Sequence, residues 1–234
     1  MAKNLHDDHR ERVRNEFLAH GFDDSTPLHK VLEMLLFYSI PRKDTNELAH
    51  ELANRFGSLE GVLEASPEEL KKIKGIGDNT VAFLKFLIFI TGKYRSEKQI
   101  ENKRFATMAA VADYLYGKYL GCKKEMFAVT TFNGKGEILA FDVINKGDVS
   151  SVGFSVREVI EVVLKRNAVA VMLSHNHPGG QATPSNEDLL ETVKIFDALA
   201  HIDVALLDHI VVTEGDYVSM RQSAKYKNIF VRKP

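Results

Sequence analysis

The chain has 234 residues, 44% of them hydrophobic, which is enough to bury a core in one large domain or two small ones. Lysine and arginine number 31 and aspartate and glutamate 32, so the balanced charge excludes unspecific recruitment to nucleic acid or to an anionic membrane. The single cysteine, Cys122, excludes an intramolecular disulfide. The first residues lack the apolar core of a signal peptide, so we expect a cytoplasmic protein.

Residues 1–95 are predicted to form an all-helical domain, because apolar residues recur at spacings of three and four between glycine and proline stop signals. The most apolar stretch, residues 83–92, contains a lysine and is too short to cross a bilayer. It is therefore predicted to be a core helix, and no membrane association is expected. The polar and charged stretch 96–104 predicts an exposed linker and hence a domain boundary.

Within the helical domain, residues 65–87 predict a helix, a tight turn and a second helix. Gly75 and Gly77 make the turn, since glycine adopts backbone angles closed to other residues. The amides at the start of the second helix form a cradle for an anion, beside Lys71, Lys72 and Lys74. Two alternatives stay open: a hairpin that serves only packing, and one that docks another protein. Because residues 1–104 hold 17 basic and 17 acidic side chains, any DNA affinity should be weak and steeply salt-dependent.

Residues 105–234 predict a mixed α/β domain built on a largely antiparallel sheet, so the fold class of the whole chain is α+β. A helical segment at 107–120 precedes two strand-like runs joined by a turn at 133–136. Ser155 and Glu158 have capping-box spacing and begin an amphipathic helix. An apolar strand, another helix and two further strand-like runs complete the domain.

The strand that ends in His175 and His177 carries the strongest chemical signal. Side chains at i and i+2 of a strand point the same way, so both imidazoles project to one side. A glycine- and proline-rich return leads into a helix whose first turn brings Asp188 back toward them. Two histidines and one carboxylate leave a fourth tetrahedral position for water, as in catalytic zinc sites. Iron is the rival metal, but its facial triad usually begins H-x-D or H-x-E, so zinc is preferred.

Two alternatives to this site need no metal. Ser185 and Asp188 have capping-box spacing, which satisfies free backbone donors at a helix start without any ion. The histidine pair could equally be polar residues at the end of a strand. The joint occurrence of paired histidines, a tight return and a carboxylate in the first helical turn favours the metal site.

The arrangement of His175, His177, Ser185 and Asp188, in the pattern H-x-H, seven residues, S, two residues, D, resembles the signature of the JAMM (MPN+) metalloproteases. HNHPGGQATPSNED, the later LLDHIVV and the upstream GIG segment are more closely similar to the bacterial RadC family, from about residue 45 to the end. The resemblance implies a JAMM/MPN-type, cytidine-deaminase-like domain over residues 105–234. It also implies one zinc ion held by the two histidines and Asp188, a metal-bound water as nucleophile, and hydrolysis of amide or isopeptide bonds.

The resemblance further implies a glutamate at the start of a strand well upstream, which moves a proton between the water and the leaving amine. The matching position is Glu125, with Glu137 and Glu158 as alternatives. Ser185 would donate a hydrogen bond to the developing oxyanion. His209, with Asp208, could orient a ligand histidine, although a structural role is favoured for it.

RadC proteins carry a helix-hairpin-helix in the position of residues 65–87, a module that grips the DNA backbone without reading bases. The segment upstream of it, STPLHKVLEMLLFYSIPRKD, keeps the helical periodicity but departs from the family pattern in the turn that follows. The sequence therefore predicts a RadC-like zinc hydrolase of a protein or peptide substrate with a DNA-associating helical module. A metal-dependent nuclease and a non-catalytic DNA-associated protein are the alternatives, and the oligomeric state is open.

Overall fold

The computed structural model describes residues 5–41, 43–98, 104–147 and 155–231. The chain divides into two compact units, Met1–Ile90 and Thr91–Pro234. One continuous helix, Asp78–Lys98, passes through the division. The first three residues of the stretch 96–104, predicted to be a linker, belong to this helix, and residues 99–103 of it lie outside the described residues.

The first unit is helical throughout its described residues, as predicted. Its helices are α1 (Leu5–His20), α2 (Leu28–Ser39), α3 (Asn46–Phe56), α4 (Leu59–Glu64), α5 (Pro67–Lys71) and the first part of α6 (Asp78–Lys98). The core of this unit is formed by leucines that recur at helical spacing and lie fully buried, among them Leu32, Leu36, Leu52, Leu70 and Leu84. Burial of one such side chain contributes about 2 kcal/mol, which is why the short helices α4 and α5 are stable within the unit.

The apolar stretch 83–92 is helical, but it is a core helix on one face alone. Leu84 is buried, whereas Phe86 and Phe89 are 55% and 61% exposed and stack on each other with ring centroids 6.1 Å apart. The stretch therefore has one buried face and one exposed face. Among the described residues, none of the helices is long and apolar enough to cross a membrane.

The second unit is built on a mixed sheet, as predicted. Its strands are β1 (Glu125–Phe132), β2 (Ile138–Gly147), β3 (Ala170–Asn176), β4 (Ala205–Val212) and β5 (Tyr217–Ser219). Their spatial order is β2-β1-β3-β4-β5, and among these described strands β3 and β4 form the one parallel pair. The parallel pair follows from the connection, because helix α9 lies between β3 and β4 in the chain and forms a βαβ crossover.

Helices cover both faces of the sheet. They are α7 (Met108–Tyr119), α8 (Val156–Arg166), α9 (Asn186–Ala200) and a 3-10 helix at Lys227–Val231. Alternate residues of β1 and β3 enter two cores: Val129 and Leu173 pack with α8 and α9, and Ala128 and Met172 pack with α7. This alternation determines which face of the sheet receives each polar side chain at the end of β3.

The connection from β3 to α9 brings the chain back over the sheet edge. Gly179 adopts a φ of 66°, a left-handed conformation that side chains rarely accept. Helix α9 then begins at a capping box, in which the Ser185 hydroxyl accepts a hydrogen bond from the backbone of Asp188. The predicted capping box that begins at Ser155 is formed in the same way, and helix α5 begins with a further capping box at Ser66.

Candidate metal centre

His175 and His177 project from the carboxyl end of β3. His175 lies in register with Phe127 of β1 and Val211 of β4, and it is 1% exposed. Because the residues are two apart on a strand, the imidazoles share a side, and their Nε2 atoms lie 3.0 Å apart. The structure thus brings together the two histidines that the sequence singles out.

Two carboxylates converge on these nitrogens. Asp188 places Oδ1 3.5 Å from the Nε2 of His175 and Oδ2 3.9 Å from the Nε2 of His177. Glu125, the first residue of β1, places Oε1 3.7 Å from the Nε2 of His177 and 4.0 Å from that of His175. Ligand atoms around a tetrahedral zinc with bonds of about 2.0 Å lie about 3.3 Å apart. The contact of Asp188 with His175, at 3.5 Å, is nearer that spacing than either contact of Glu125, and Asp188 turns a different oxygen to each imidazole.

Glu125 and the two histidines form a second possible set of three ligands. Glu125, His175 and His177 each offer one ligand atom, and the three atoms lie within 4.8 Å of one another. We favour Asp188 over Glu125 as the third ligand because its side chain is 9% exposed against 26% and its oxygen is closer to His175. A buried carboxylate beside two imidazoles is the donor set that catalytic zinc sites use.

The tautomer of His177 directs a lone pair to the centre. Its Nδ1 lies 2.8 Å from the carbonyl oxygen of Gln181, which can only accept, so Nδ1 carries the proton. The ring nitrogen left to bind a cation is therefore Nε2. It faces the Nε2 of His175 at 3.0 Å, an arrangement that a bound cation stabilises.

Asp188 both caps helix α9 and faces the histidines, so the capping role does not prevent it from also acting as a ligand. Its Oδ2 accepts hydrogen bonds from the backbone N–H and the hydroxyl of Ser185, each at 2.7 Å, while Oδ1 faces His175. Burial opposes ionisation of this carboxyl. The hydrogen bond and charge of His175 and the hydrogen bonds of Ser185 outweigh burial and hold the pKa of Asp188 well below its usual range.

The alternatives to Glu125 are engaged elsewhere. Glu137 accepts a hydrogen bond from the side chain of Asn133 at 2.8 Å, in the turn at the far end of β1. Glu158 accepts from the backbone of Ser155 in the capping box of α8. Of these three glutamates, Glu125 alone lies at the histidine pair.

His209 contacts the centre directly, whereas Asp208 faces away from it. The Nε2 of His209 lies 2.8 Å from the Nδ1 of His175, and its Nδ1 lies 2.6 Å from the hydroxyl of Thr192. Burial lowers the pKa of His209 well below its usual value, and the charge of His175 lowers it further, so the ring is neutral at neutral pH. Asp208 points to the other face of β4, where it accepts a hydrogen bond from the hydroxyl of Ser219.

Asn176 is a site residue that no sequence motif singles out. It stands between the two histidines and points to the opposite face of β3. Its side-chain oxygen accepts from the backbone N–H of Met126 at 2.8 Å, and its amide donates to the carbonyl of Lys124 at 3.3 Å. These bonds hold the backbone on both sides of Glu125. In the sequence, its position between two candidate ligands is the feature that could have indicated this role.

The basic turn of the helical unit has a different character. Helix α5 ends at Lys71, and α6 begins at Asp78, with Gly75 between them at a φ of 108°. Lys71 forms an ion pair with Asp78, which raises the pKa of the lysine. Lys72, Lys74 and Gly77 are exposed. The structure therefore places the predicted residues around one turn, with one of the three lysines paired to a neighbouring carboxylate.

Comparisons with known proteins identify the second unit. The family model described as RadC-like JAB domain matches residues 105–226. A UPF0758 protein of Fusobacterium nucleatum is 33% identical over 226 residues, which cover 94% of this chain and 97% of that protein. A UPF0758 protein of Polaromonas sp. is 35% identical over 225 residues, which cover 95% of this chain and 98% of that protein. The chain therefore belongs to the RadC family, and its second unit contains the RadC-like JAB domain.

Proposed function

We propose that this protein is a JAMM-type zinc hydrolase that cleaves a peptide or isopeptide bond. The JAB domain supports metal-dependent hydrolysis at the level of the family. The single observation that supports it most is the convergence of two imidazole nitrogens 3.0 Å apart with the Asp188 carboxylate 3.5 to 3.9 Å from them. Two imidazoles at the end of β3 and a carboxylate from the first turn of α9 are the donor set of catalytic zinc sites, which keep one position for water.

In this proposal His175, His177 and Asp188 hold the zinc ion. Zinc, when bound, lowers the pKa of a coordinated water to about 7 and polarises a carbonyl group. The low pKa of Asp188 keeps this ligand ionised across the physiological range, so a proton does not compete with the cation there. The donor set, one carboxylate and two imidazoles, fits zinc better than magnesium or calcium, which prefer oxygen ligands.

Glu125 is proposed as the general base and acid. Its Oε1 lies 3.7 Å from the Nε2 of His177, and its side chain is 26% exposed. It is therefore adjacent to the cation site and still open to substrate. In this position the carboxylate accepts a proton from the attacking water and delivers it to the leaving amine. Its lower burial than Asp188 suits a proton carrier better than a permanent ligand.

Ser185 is proposed to donate a hydrogen bond to the oxyanion. In the structure its hydroxyl donates to Oδ2 of Asp188 at 2.7 Å. Rotation about one side-chain bond redirects that proton toward substrate, while the backbone N–H of Ser185 continues to donate to Asp188. Removing such a donor typically costs on the order of 3 kcal/mol in the transition state.

The test compares wild-type protein with Glu125→Gln after both are loaded with zinc, on pools of peptides, isopeptide-linked peptides and single-stranded or branched DNA. Glu125→Gln should retain zinc and lose hydrolysis by at least about 100-fold, because the amide cannot carry the proton. Glu137→Gln is the matched control and should keep wild-type turnover, since that carboxylate lies in the β1–β2 turn. Turnover of the DNA pool alone would show that the protein is a nuclease and not a peptidase. Absence of turnover from all three pools would leave the non-catalytic alternative.

We also propose that the turn from Lys71 to Asp78 contacts a nucleic-acid backbone as a helix-hairpin-helix module. The support is an exposed glycine-containing turn before a long helix, with Lys72 and Lys74 exposed beside it. The ion pair of Lys71 with Asp78 reduces the charge available for phosphate. The expected interaction is weak and independent of sequence.

A further inference from the structure

A chain of three hydrogen bonds joins two of the proposed zinc ligands behind the site. It runs from the Nδ1 of His175 to the Nε2 of His209 at 2.8 Å, then from the Nδ1 of His209 to the hydroxyl of Thr192 at 2.6 Å. The same hydroxyl donates to the backbone carbonyl of Asp188 at 2.5 Å. His175, His209 and Thr192 are all buried, with exposures of 1%, 0% and 0%. The hydrogen bonds therefore form without competition from bulk water.

The direction of these hydrogen bonds follows from the last acceptor. The carbonyl oxygen of Asp188 can only accept, so the single hydroxyl proton of Thr192 is donated to it. The sulfur of Met220, 3.8 Å from the same hydroxyl, is a weak acceptor and does not compete. The Thr192 oxygen must then accept from the Nδ1–H of His209. The ring of His209 is fully buried, and burial disfavours an imidazolium, so this one proton leaves its Nε2 bare.

A bare Nε2 on His209 requires a proton on the Nδ1 of His175. A second proton on His175 lies on Nε2, between His177 and Asp188, in the metal-free protein; a cation that replaces this proton meets the lone pair of Nε2 while the proton on Nδ1 stays in place. The other tautomer would point a proton at the cation site and leave two acceptor nitrogens in contact at 2.8 Å. A hydroxyl on α9 thus decides the protonation of a histidine on β3.

We propose that Thr192 and His209 are positioning residues that hold His175 in its metal-binding tautomer. The proposal rests on the zinc site of the proposed function, but it concerns the apo protein as much as the loaded one. Asp188 takes part twice, since its carboxylate faces the imidazoles and its backbone carbonyl accepts the last hydrogen bond behind them. The first turn of α9, which carries the third ligand, is thereby coupled to the first ligand.

The direct test is long-range 1H–15N correlation NMR of the histidine side chains in metal-free, full-length wild-type protein. We expect a proton on Nδ1 of both His175 and His209. An unprotonated Nδ1 on His175 overturns the proposal. This readout needs neither zinc nor turnover, so it decides the hydrogen-bond chain even where the proposed hydrolase fails. Conversely, zinc binding and hydrolysis with the wrong tautomer would reject the chain and leave the hydrolase standing.

A second test uses substitutions of nearly equal volume and measures the zinc dissociation constant by competition with a chromophoric chelator. Thr192→Val removes the hydroxyl and should weaken zinc binding roughly 10- to 100-fold, as expected for partners of metal-ligating histidines. Thr192→Ser restores the hydroxyl and should restore the affinity. Wild-type affinity in Thr192→Val, or a loss in Thr192→Ser as large as that in Thr192→Val, overturns the proposal.

Thr130→Val is the matched control. Thr130 is also fully buried, on β1, and its hydroxyl is without a hydrogen-bond partner among the described residues. Its replacement should leave the zinc dissociation constant and the His175 tautomer unchanged. A loss of affinity in Thr130→Val equal to that in Thr192→Val would mean that any buried threonine matters for packing alone, which also overturns the proposal.

Discussion

Two aspartates stand in the first turn of a helix that follows a glycine-containing turn, Asp78 in the helical unit and Asp188 in the sheet unit. The side chain of Asp78 is 86% exposed and pairs with Lys71, which is itself half exposed. Asp188 is 9% exposed and faces His175. Both satisfy the preference of a helix N-terminus for negative charge. Only Asp188 is enclosed by neighbouring side chains, so its carboxylate cannot rotate into solvent.

The difference shows what turns a common local pattern into a site. An exposed ion pair is screened by water and contributes little, whichever residues form it. A buried carboxylate must be compensated by its neighbours, and at Asp188 the compensation comes from Ser185 and from an imidazole directed at a shared point. Spacing along the chain predicts both aspartates equally well. Burial separates them, and at Asp188 this burial depends on the packing of α9 against the sheet.

The largest expected effect is the removal of a proposed ligand on the buried side of the comparison. His175→Ala should lower zinc affinity roughly 100-fold or more, given that four protein ligands together supply about 10–16 kcal/mol. Zinc retained after dialysis against a weak chelator, measured by elemental analysis, gives the result. His201→Ala is the control, because that imidazole is exposed and bonds to the backbone of its own helix. Equal amounts of zinc in the two variants would contradict the role of His175 as a ligand.

The two aspartates can be compared directly through the same substitution. Asp188→Asn should weaken zinc binding and lower the free energy of unfolding of the metal-free protein by about 1 kcal/mol, as loss of a helix cap does. Asp78→Asn should leave both quantities within experimental error, since its carboxylate is exposed. Urea unfolding followed by circular dichroism provides the free energies. A larger effect at Asp78 than at Asp188 would reverse the comparison.

A smaller effect is expected on the exposed side, in DNA binding. Each phosphate that a lysine no longer neutralises should reduce the slope of log affinity against log salt concentration by about 0.9. We expect this from Lys72→Ala and from Lys74→Ala, and less from Lys71→Ala, because Asp78 already pairs with Lys71. Fluorescence anisotropy with full-length protein at several salt concentrations measures the slopes. Identical, salt-independent binding in all three variants would contradict the proposal that this turn contacts nucleic acid.

The smallest effect concerns a third aspartate, Asp208, which is buried away from the histidine pair. Burial raises its pKa, and hydrogen bonds from Ser219, Arg221 and His209 only partly offset this. A carboxyl whose folded pKa is raised contributes stability below its unfolded pKa of about 3.9 and loses it as the pH rises through the folded value. The free energy of unfolding of the metal-free protein, measured with urea, should therefore decrease less between about pH 4 and about pH 7 in Asp208→Asn than in wild type. An unchanged slope would contradict the raised pKa.

Local sequence signals predict much of the fold because they act over a few residues. The capping boxes at Ser66, Ser155 and Ser185 are all formed, and the period of two on β3 gives the shared side of His175 and His177. The mixed sheet follows from alternating strand and helix patterns. These features depend on neighbours within about one helical turn, so the sequence alone is sufficient.

The contacts that complete the centre join residues far apart in sequence. Asn176 bonds to Met126, 50 residues away, and His209 bonds to His175, 34 residues away. Which face of β4 presents His209 depends on its register with β3, which has no local signature. The exposed phenylalanines of α6 have the same origin, since apolar composition predicts a helix but not which side of it meets the rest of the unit.

The alternation of side chains at the end of β3 has a consequence for how this protein can change. Asn176 holds the chain around Glu125 through hydrogen bonds on the face of β3 opposite the imidazoles, so the proposed cation ligands and the proposed proton carrier have separate supports. A substitution at 176 would therefore yield a chain that still loads metal but turns over slowly. If the proposed function holds, zinc binding and turnover are therefore lost separately, and one substitution is enough to give a protein that binds zinc without hydrolysing its substrate.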